Sequence, residues 1–221
     1  MDNDEINISI GFQCTTAAII QKLNKRTSSF PFDWILSNPT SVLSLIKILI
    51  DCDDIDKFVK TEFFNVDGFV RFIKPEEFMI IDHKTGSLYN SKYNMIFPHE
   101  KSNYIDEVEK YKRRFIRLKE AILTEHTMLN IYFIDRLGKN NSFKINDTNI
   151  LNNQEDSLNS LVSYLTNLRK NSNFYFILNK HSYINKNKID NKPEVTCIEI
   201  ESNYEMLQDE EIIHHILPKS I

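Results

Sequence analysis

Ile8-Ser-Ile-Gly-Phe-Gln-Cys14, followed at once by Thr15-Thr-Ala-Ala-Ile-Ile-Gln-Lys-Leu23, is the stretch on which the fold turns. Asn7 to Phe12 alternates apolar residues and is rich in β-branched ones, which predicts a strand. Thr15 to Asn24 gathers Ala17, Ile19, Ile20 and Leu23 on one side and predicts a helix. Thr15 and Thr16 supply hydroxyls where its first N–H groups need acceptors. The chain holds only four glycines, so Gly11, between strand and helix, is expected to occupy a special backbone position. Cys14 thus stands at a strand-to-helix junction. Unpaired N–H groups and the positive end of the helix dipole favour a thiolate there and could stabilise an oxyanion. The competing reading is a small buried residue, since cysteine is among the types most often found inside.

Outward from this junction, Ser28 to Pro39 (SSFPFDWILSNP) is an aromatic segment bracketed by Pro31 and Pro39 and is expected to be an ordered loop. Thr40 to Cys52 predicts a helix with a stripe at Val42, Leu45, Ile46 and Leu49. Gly68 to Ile73, Phe78 to His83 and Tyr93 to Phe97 predict short strands. The clearest helix is Tyr104 to Leu123, where Ile105, Val108, Tyr111, Phe115, Leu118 and Ile122 recur at helical spacing. Met128 to Ile134, Phe174 to Leu178 and Val195 to Ile200 predict further strands, with a helix from Leu158 to Arg169 and a mixed tail. Neither polar stretch after Leu137 or Leu178 divides domains convincingly. The expectation is one α/β (or α+β) domain over residues 1–221, its central mixed sheet flanked by helices. Its motif-bearing core runs from about residue 6 to 136, with an extension over 137–221.

The formal net charge of -4 and a pI near 5.9 argue against a general nucleic-acid or membrane-surface binder. Three widely spaced cysteines without a CxxC pair suggest neither a disulfide framework nor a zinc site, and a reducing compartment is the expected setting. The acidic first residues differ from a secretion signal, and no run approaches the roughly 20 apolar residues of a membrane span. A soluble, intracellular protein is expected. The chain lacks GxxxxGK, GxGxxG, HExxH and GxSxG motifs, which disfavours P-loop, dinucleotide, common zinc-peptidase and serine-hydrolase chemistry. No metal or cofactor is implied.

Three further segments carry candidate chemistry. Asp33, between Phe32 and the only tryptophan, Trp34, would orient a histidine or tie down its own loop through backbone N–H groups. His99, in Asn94 to Glu100 (NMIFPHE), should emerge at a strand end, a usual place for a base. His83, His126, His181, His214 and His215 compete with it. On the wheel of Glu109 to Glu120, Arg114 lies beside the apolar stripe and should reach a carboxylate or an anionic ligand, while Arg113 and Arg117 face further out.

Taken in order, Ile10 to Cys14 (IGFQC), Arg26 to Trp34 (RTSSFPFDW), Phe97 to Glu100 (FPHE), Lys110 to Leu118 (KYKRRFIRL) and Tyr132 to Arg136 (YFIDR) resemble a family of papain-like cysteine peptidases. That family is uncharacterised in function and occurs in bacteria and large DNA viruses. Its pattern reads Leu-Gly-x-Asn-Cys, Arg-x-x-x-x-Pro-Phe-Asp-Trp, His-Asp-Phe, Lys-Tyr-x-Arg-Arg-x-x-Arg-Phe and Phe-x-Arg. Here Gln13 replaces Asn, Glu100 replaces Asp, and Asp135 precedes Arg136. The resemblance implies Cys14 as nucleophile and His99 as base, with Asp33, Glu100 or Asp135 orienting the imidazole. It implies substrate contacts from Gln13, Trp34, Arg113, Arg114 and Arg117, with Arg114 either binding substrate or holding the acidic loop in place. The substrate would be a protein or a glycan- or phosphate-bearing ligand, cleaved at an amide, isopeptide or ester bond. A cytoplasmic location follows, in the host cytoplasm for a viral member. The alternatives are an anion- or sugar-phosphate-binding module and a viral host-interaction protein that keeps the fold.

Overall fold

A computed structural model describes residues 5–64, 70–73, 87–99, 104–137, 144–145, 148–149, 153–202 and 206–216. In chain order its elements are β1 (Glu5–Ser9), α1 (Cys14–Lys22), α2 (Pro39–Asp51) and α3 (Ile55–Phe58), which runs into a π-helical turn (Val59–Phe63). Then come β2 (Val70–Ile73), β3 (Ser87–Asn90), β4 (Met95–Phe97), α4 (Tyr104–Leu123) and β5 (Met128–Asp135). The remainder is β6 (Lys144–Ile145), β7 (Thr148–Asn149), α5 (Glu155–Leu168), β8 (Ser172–Asn179), β9 (Val195–Ile200) and α6 (Asp209–Ile216).

Four strands form one parallel sheet in the order β1-β5-β8-β9. The α/β architecture with flanking helices is therefore present. Among the described residues this sheet is wholly parallel, and antiparallel pairing gathers in a separate sheet, β2-β3-β4, and in the small β6-β7 pair. The reason lies in β5 and β8, whose residues are buried on both faces in near-continuous runs, as strands covered by helices on both sides must be. Register is pinned by side chains in line across three strands. Asn130 Nδ2 donates to Asn7 Oδ1 at 3.2 Å, Asn173 Nδ2 donates to Asn130 Oδ1 at 3.1 Å, and Tyr132 stacks on Tyr175 at 4.8 Å. A one-residue slip would send these partners to opposite faces.

On one side, Ile19 of α1 and Ile212 of α6 pack with Ile134, Ile177, Ile200 and Leu207. The larger cluster holds the apolar stripes of α2, α4 and α5. Its centre is aromatic: Phe63 meets Phe64, Phe97, Tyr111 and Phe115 with ring centroids 4.8 to 5.2 Å apart. α2 begins where Asn38 Oδ1 accepts the Ser41 N–H at 2.9 Å and Pro39 takes the first helical turn, a cap and a proline in their preferred places.

The predicted strand at Phe78 to His83 lies outside the described residues. β3 was not foreseen. The predicted strand at Tyr93 begins only at Met95, because residues 91–94 form a turn with Asn94 at φ +48°. No described helix is long and apolar enough to cross a membrane.

Candidate functional site

The carboxyl end of β1 is where the chain turns. Ile10 N–H donates to Tyr132 O at 3.0 Å, extending the pairing with β5, and Gly11 then adopts φ +71°. A methyl group on Gly11 would lie 2.7 Å from Ser37 Oγ and 3.2 Å from Phe32 O, so the turn is pressed against the loop that follows α1. Gly11→Ala is expected to lower stability by about 2–3 kcal/mol, combining left-handed strain with a clash against the Ser37 hydroxyl and a tight contact with the Phe32 carbonyl. An unchanged urea midpoint would show that the two loops part freely.

Gln13 precedes α1 in an extended conformation and its side chain makes no capping bond. The first helical residue is Cys14, half-buried, with its sulfur facing the N–H groups of Cys14 and Thr15. Burial pushes the thiol above its ordinary value. Those N–H groups and the charge of Arg136, just beyond the end of β5, pull the other way. Arg136 is itself held by Asp209 of α6, Nη1 to Oδ1 at 3.2 Å. In the first turn, Thr16 Oγ1 is buried without a hydrogen-bond partner.

Asp33 is buried, and its Oδ2 accepts from Arg26 Nη2 at 2.9 Å and from the Phe30 N–H at 2.8 Å. These bonds are those of the loop-tying role. Burial raises the Asp33 carboxyl above the usual carboxylate range, against the Phe30 N–H, Arg26 and, more weakly, Arg114. His99 is exposed, two residues past the end of β4, and its ring meets Trp34 edge-on with centroids 6.1 Å apart. Trp34 receives the Arg26 guanidinium at 5.1 Å from its ring centre. Leu36 and Ile96 exchange two backbone hydrogen bonds of 2.9 Å, which carries the Trp34 loop alongside β4.

On α4, the Arg114 guanidinium lies 5.0 Å from the Tyr111 ring centre, and its Nη1 is buried without a hydrogen-bond partner. Arg117 Nε is buried and unpartnered in the same way, while Arg113 is exposed. Asp135 is buried and accepts from Ser182 Oγ and from the Leu137 N–H. Glu100 and His83 lie outside the described residues. His126, His181, His214 and His215 are exposed, the last two on α6. Thus Trp34 and His99 come together, Asp33 underlies their loop, and Arg114 sends its charge toward Asp33. Arg26 and Arg136 lie within the motifs of the resemblance, but the sequence assigns them no role. Their partners are a loop carboxylate and a distant helix, which leave no periodic signal. Among the described residues, no cluster of three or more histidine, cysteine and acidic side chains could hold a metal.

Fold and junction together define an α/β protein with a cysteine at the mouth of a parallel sheet. The model of the family described as "Putative papain-like cysteine peptidase (DUF1796)" matches residues 5–178, and the chain belongs to that family. It is similar to the uncharacterised protein R408 of Acanthamoeba polyphaga mimivirus, at 28% identity over 196 residues, covering 84% of this chain and 82% of that one. No solved structure matches.

Proposed function

We propose that the protein is a thiol-dependent hydrolase or acyl transferase that opens an amide, isopeptide or ester bond through an acyl-Cys14 intermediate. The observation that carries this reading is Cys14 at the open start of α1, its sulfur facing two backbone N–H groups after the Gly11 turn. The thiol proton passes to a ring nitrogen of His99, and the sulfur attacks the carbonyl carbon. The N–H groups and the Gln13 amide then face the developing oxyanion. The proton goes on to the leaving amine or alcohol, and water or another acceptor releases the thioester. Trp34, Arg113, Arg114 and Arg117 contact the substrate, a protein or a glycan- or phosphate-bearing ligand.

Burial holds the thiol above its ordinary value, so in this reading the nucleophile is made by proton transfer to His99. Iodoacetamide is expected to label Cys14 before Cys52 and Cys197, whose thiol is pushed up to about 11. His99→Ala should slow Cys14 labelling about tenfold or more. The rate should still climb through pH 9, since the thiolate fraction is growing there. Mass spectrometry of the labelled peptides decides, and equal reactivity of the three thiols would sink the proposal.

One observation favours a second reading. The buried, unpartnered Arg114 Nη1 and Arg117 Nε would suit a phosphate-bearing ligand held without turnover. Undiminished phosphate binding by Cys14→Ala, with no acyl turnover by the unmutated protein, would select it.

A further inference from the structure

We infer that Arg136 stabilises the Cys14 thiolate, and that Asp209 of α6 holds part of that charge back. The inference deepens the reading of Cys14 as a nucleophile, and it stands whichever group takes the thiol proton. β1 and β5 run parallel, with Ser9 beside Tyr132 and the Ile10 N–H donating to Tyr132 O, so the two strands end at the same edge of the sheet. Cys14 opens α1 a few residues past the end of β1, and Arg136 directly follows the last residue of β5. α1 then lies back over β5, where Ile19 packs with Ile134. Sulfur and guanidinium therefore share one rim. Among the described residues, Arg136 is the charged side chain that acts on the thiol.

Arg136 is anchored at both ends. Its backbone carbonyl accepts from the Leu207 N–H at 3.0 Å and from Asn179 Nδ2 at 3.1 Å, which fixes where the side chain starts. Its Nη1 pairs with Asp209 Oδ1 at 3.2 Å, and Asp209 Oδ2 also receives Lys22 Nζ from the last turn of α1. One carboxylate thus answers two cations, and the trio stays positive. The bond from Arg136 to Asp209 is a single one, and Arg136 Nε is buried without a hydrogen-bond partner. A two-pronged clamp would bind the carboxylate more strongly and set the cation more firmly against it. This guanidinium keeps a field for the thiolate, and at 22% exposure water weakens that field without cancelling it. Asp209 lies beyond residue 178, so the restraint comes from outside the part of the chain that the family model matches.

Iodoacetamide carries no charge, so its rate at Cys14 follows the thiolate and not attraction of the reagent. The rate is measured from pH 7 to pH 10.5, with labelled peptides resolved by mass spectrometry. Cys197, whose thiol feels Lys186 and Glu199 instead, is the internal control. Arg136→Gln should displace the Cys14 profile to higher pH by about half a unit, which slows labelling at pH 7 about threefold. Arg136→Lys keeps the charge and should restore most of the rate. Asp209→Asn keeps an acceptor of the same shape without its charge, and should move the profile to lower pH and speed labelling about twofold. A change in packing or access would scale the whole profile without moving it along the pH axis. An Arg136→Gln profile that stays in place overturns the inference, and so does an Asp209→Asn profile that stays or moves up. The Asp209→Asn profile carries the test if Arg136→Gln does not fold. If both profiles move as expected but the unmutated protein turns over no acyl substrate, Arg136 keeps this role and the hydrolase reading falls.

Discussion

Asp33→Ala is expected to destabilise the protein by about 3–5 kcal/mol, because it removes one partner of a buried ion pair and leaves the other behind. The Asp33 side chain is 3% exposed and that of Arg26 is 16% exposed, so water cannot readily take over for the missing carboxylate. The same change orphans the Phe30 N–H. Asp33→Asn keeps an acceptor for that N–H and should cost less, about 1–3 kcal/mol. The pH dependence has a definite sign. Burial holds the folded carboxyl above its ordinary value, so the folded chain binds this proton more tightly than the unfolded one. The resulting stability is fully present below the unfolded value of about 3.9 and is lost as pH rises through the raised folded value. Denaturant midpoints of wild type and Asp33→Asn, compared from pH 3.5 to pH 7, should converge as pH rises. A difference that widens instead would mean that Arg26 outweighs burial.

Phe63→Ala should cost a similar amount, about 3–5 kcal/mol, for a different reason. Phe63 is fully buried in the π-helical turn and touches four aromatic rings. Those rings come from the residue that ends the turn, β4 and α4, so a cavity there loosens three elements together. The edge-to-face contacts with Phe64, Phe97 and Phe115 are lost along with the buried area. Phe63→Leu keeps most of the volume and should cost about half as much. Urea unfolding with an unchanged slope checks both values. A loss under 1 kcal/mol would show that the neighbouring rings collapse into the space.

Helix α4 was legible to the residue because its stripe repeats over five turns, and Val108, Tyr111, Phe115, Leu118 and Ile122 all turn inward. β9 was equally plain. α6 was hidden in a mixed tail, since Ile212, Ile213 and Ile216 form too short a pattern to separate a helix from a strand. The parallel order of the sheet could not be read either. Strands buried on both faces show no alternation, and strand order depends on contacts between distant segments. At the site, Cys14 at a helix start and His99 past a strand end followed from glycine, proline and strand boundaries, and Trp34 falls in the loop expected between Pro31 and Pro39. The ion pair of Arg26 did not, because a loop has no period by which its partner Asp33 could be matched to it. Arg136 met its partner Asp209 across two intervening strands of the sheet and a helix, beyond any local pattern.

The register of β1 also bears on how the protein comes into being. Glu5 lies beside Met128 and Ser9 beside Tyr132, so the strand that carries Cys14 to its place has no sheet to join until β5 exists. At about 5–20 residues per second, translation keeps that strand waiting on the order of ten seconds. During that interval the thiol belongs to an unpaired segment and is an ordinary cysteine. Whatever reactivity Cys14 acquires is therefore a late event in the life of the nascent chain.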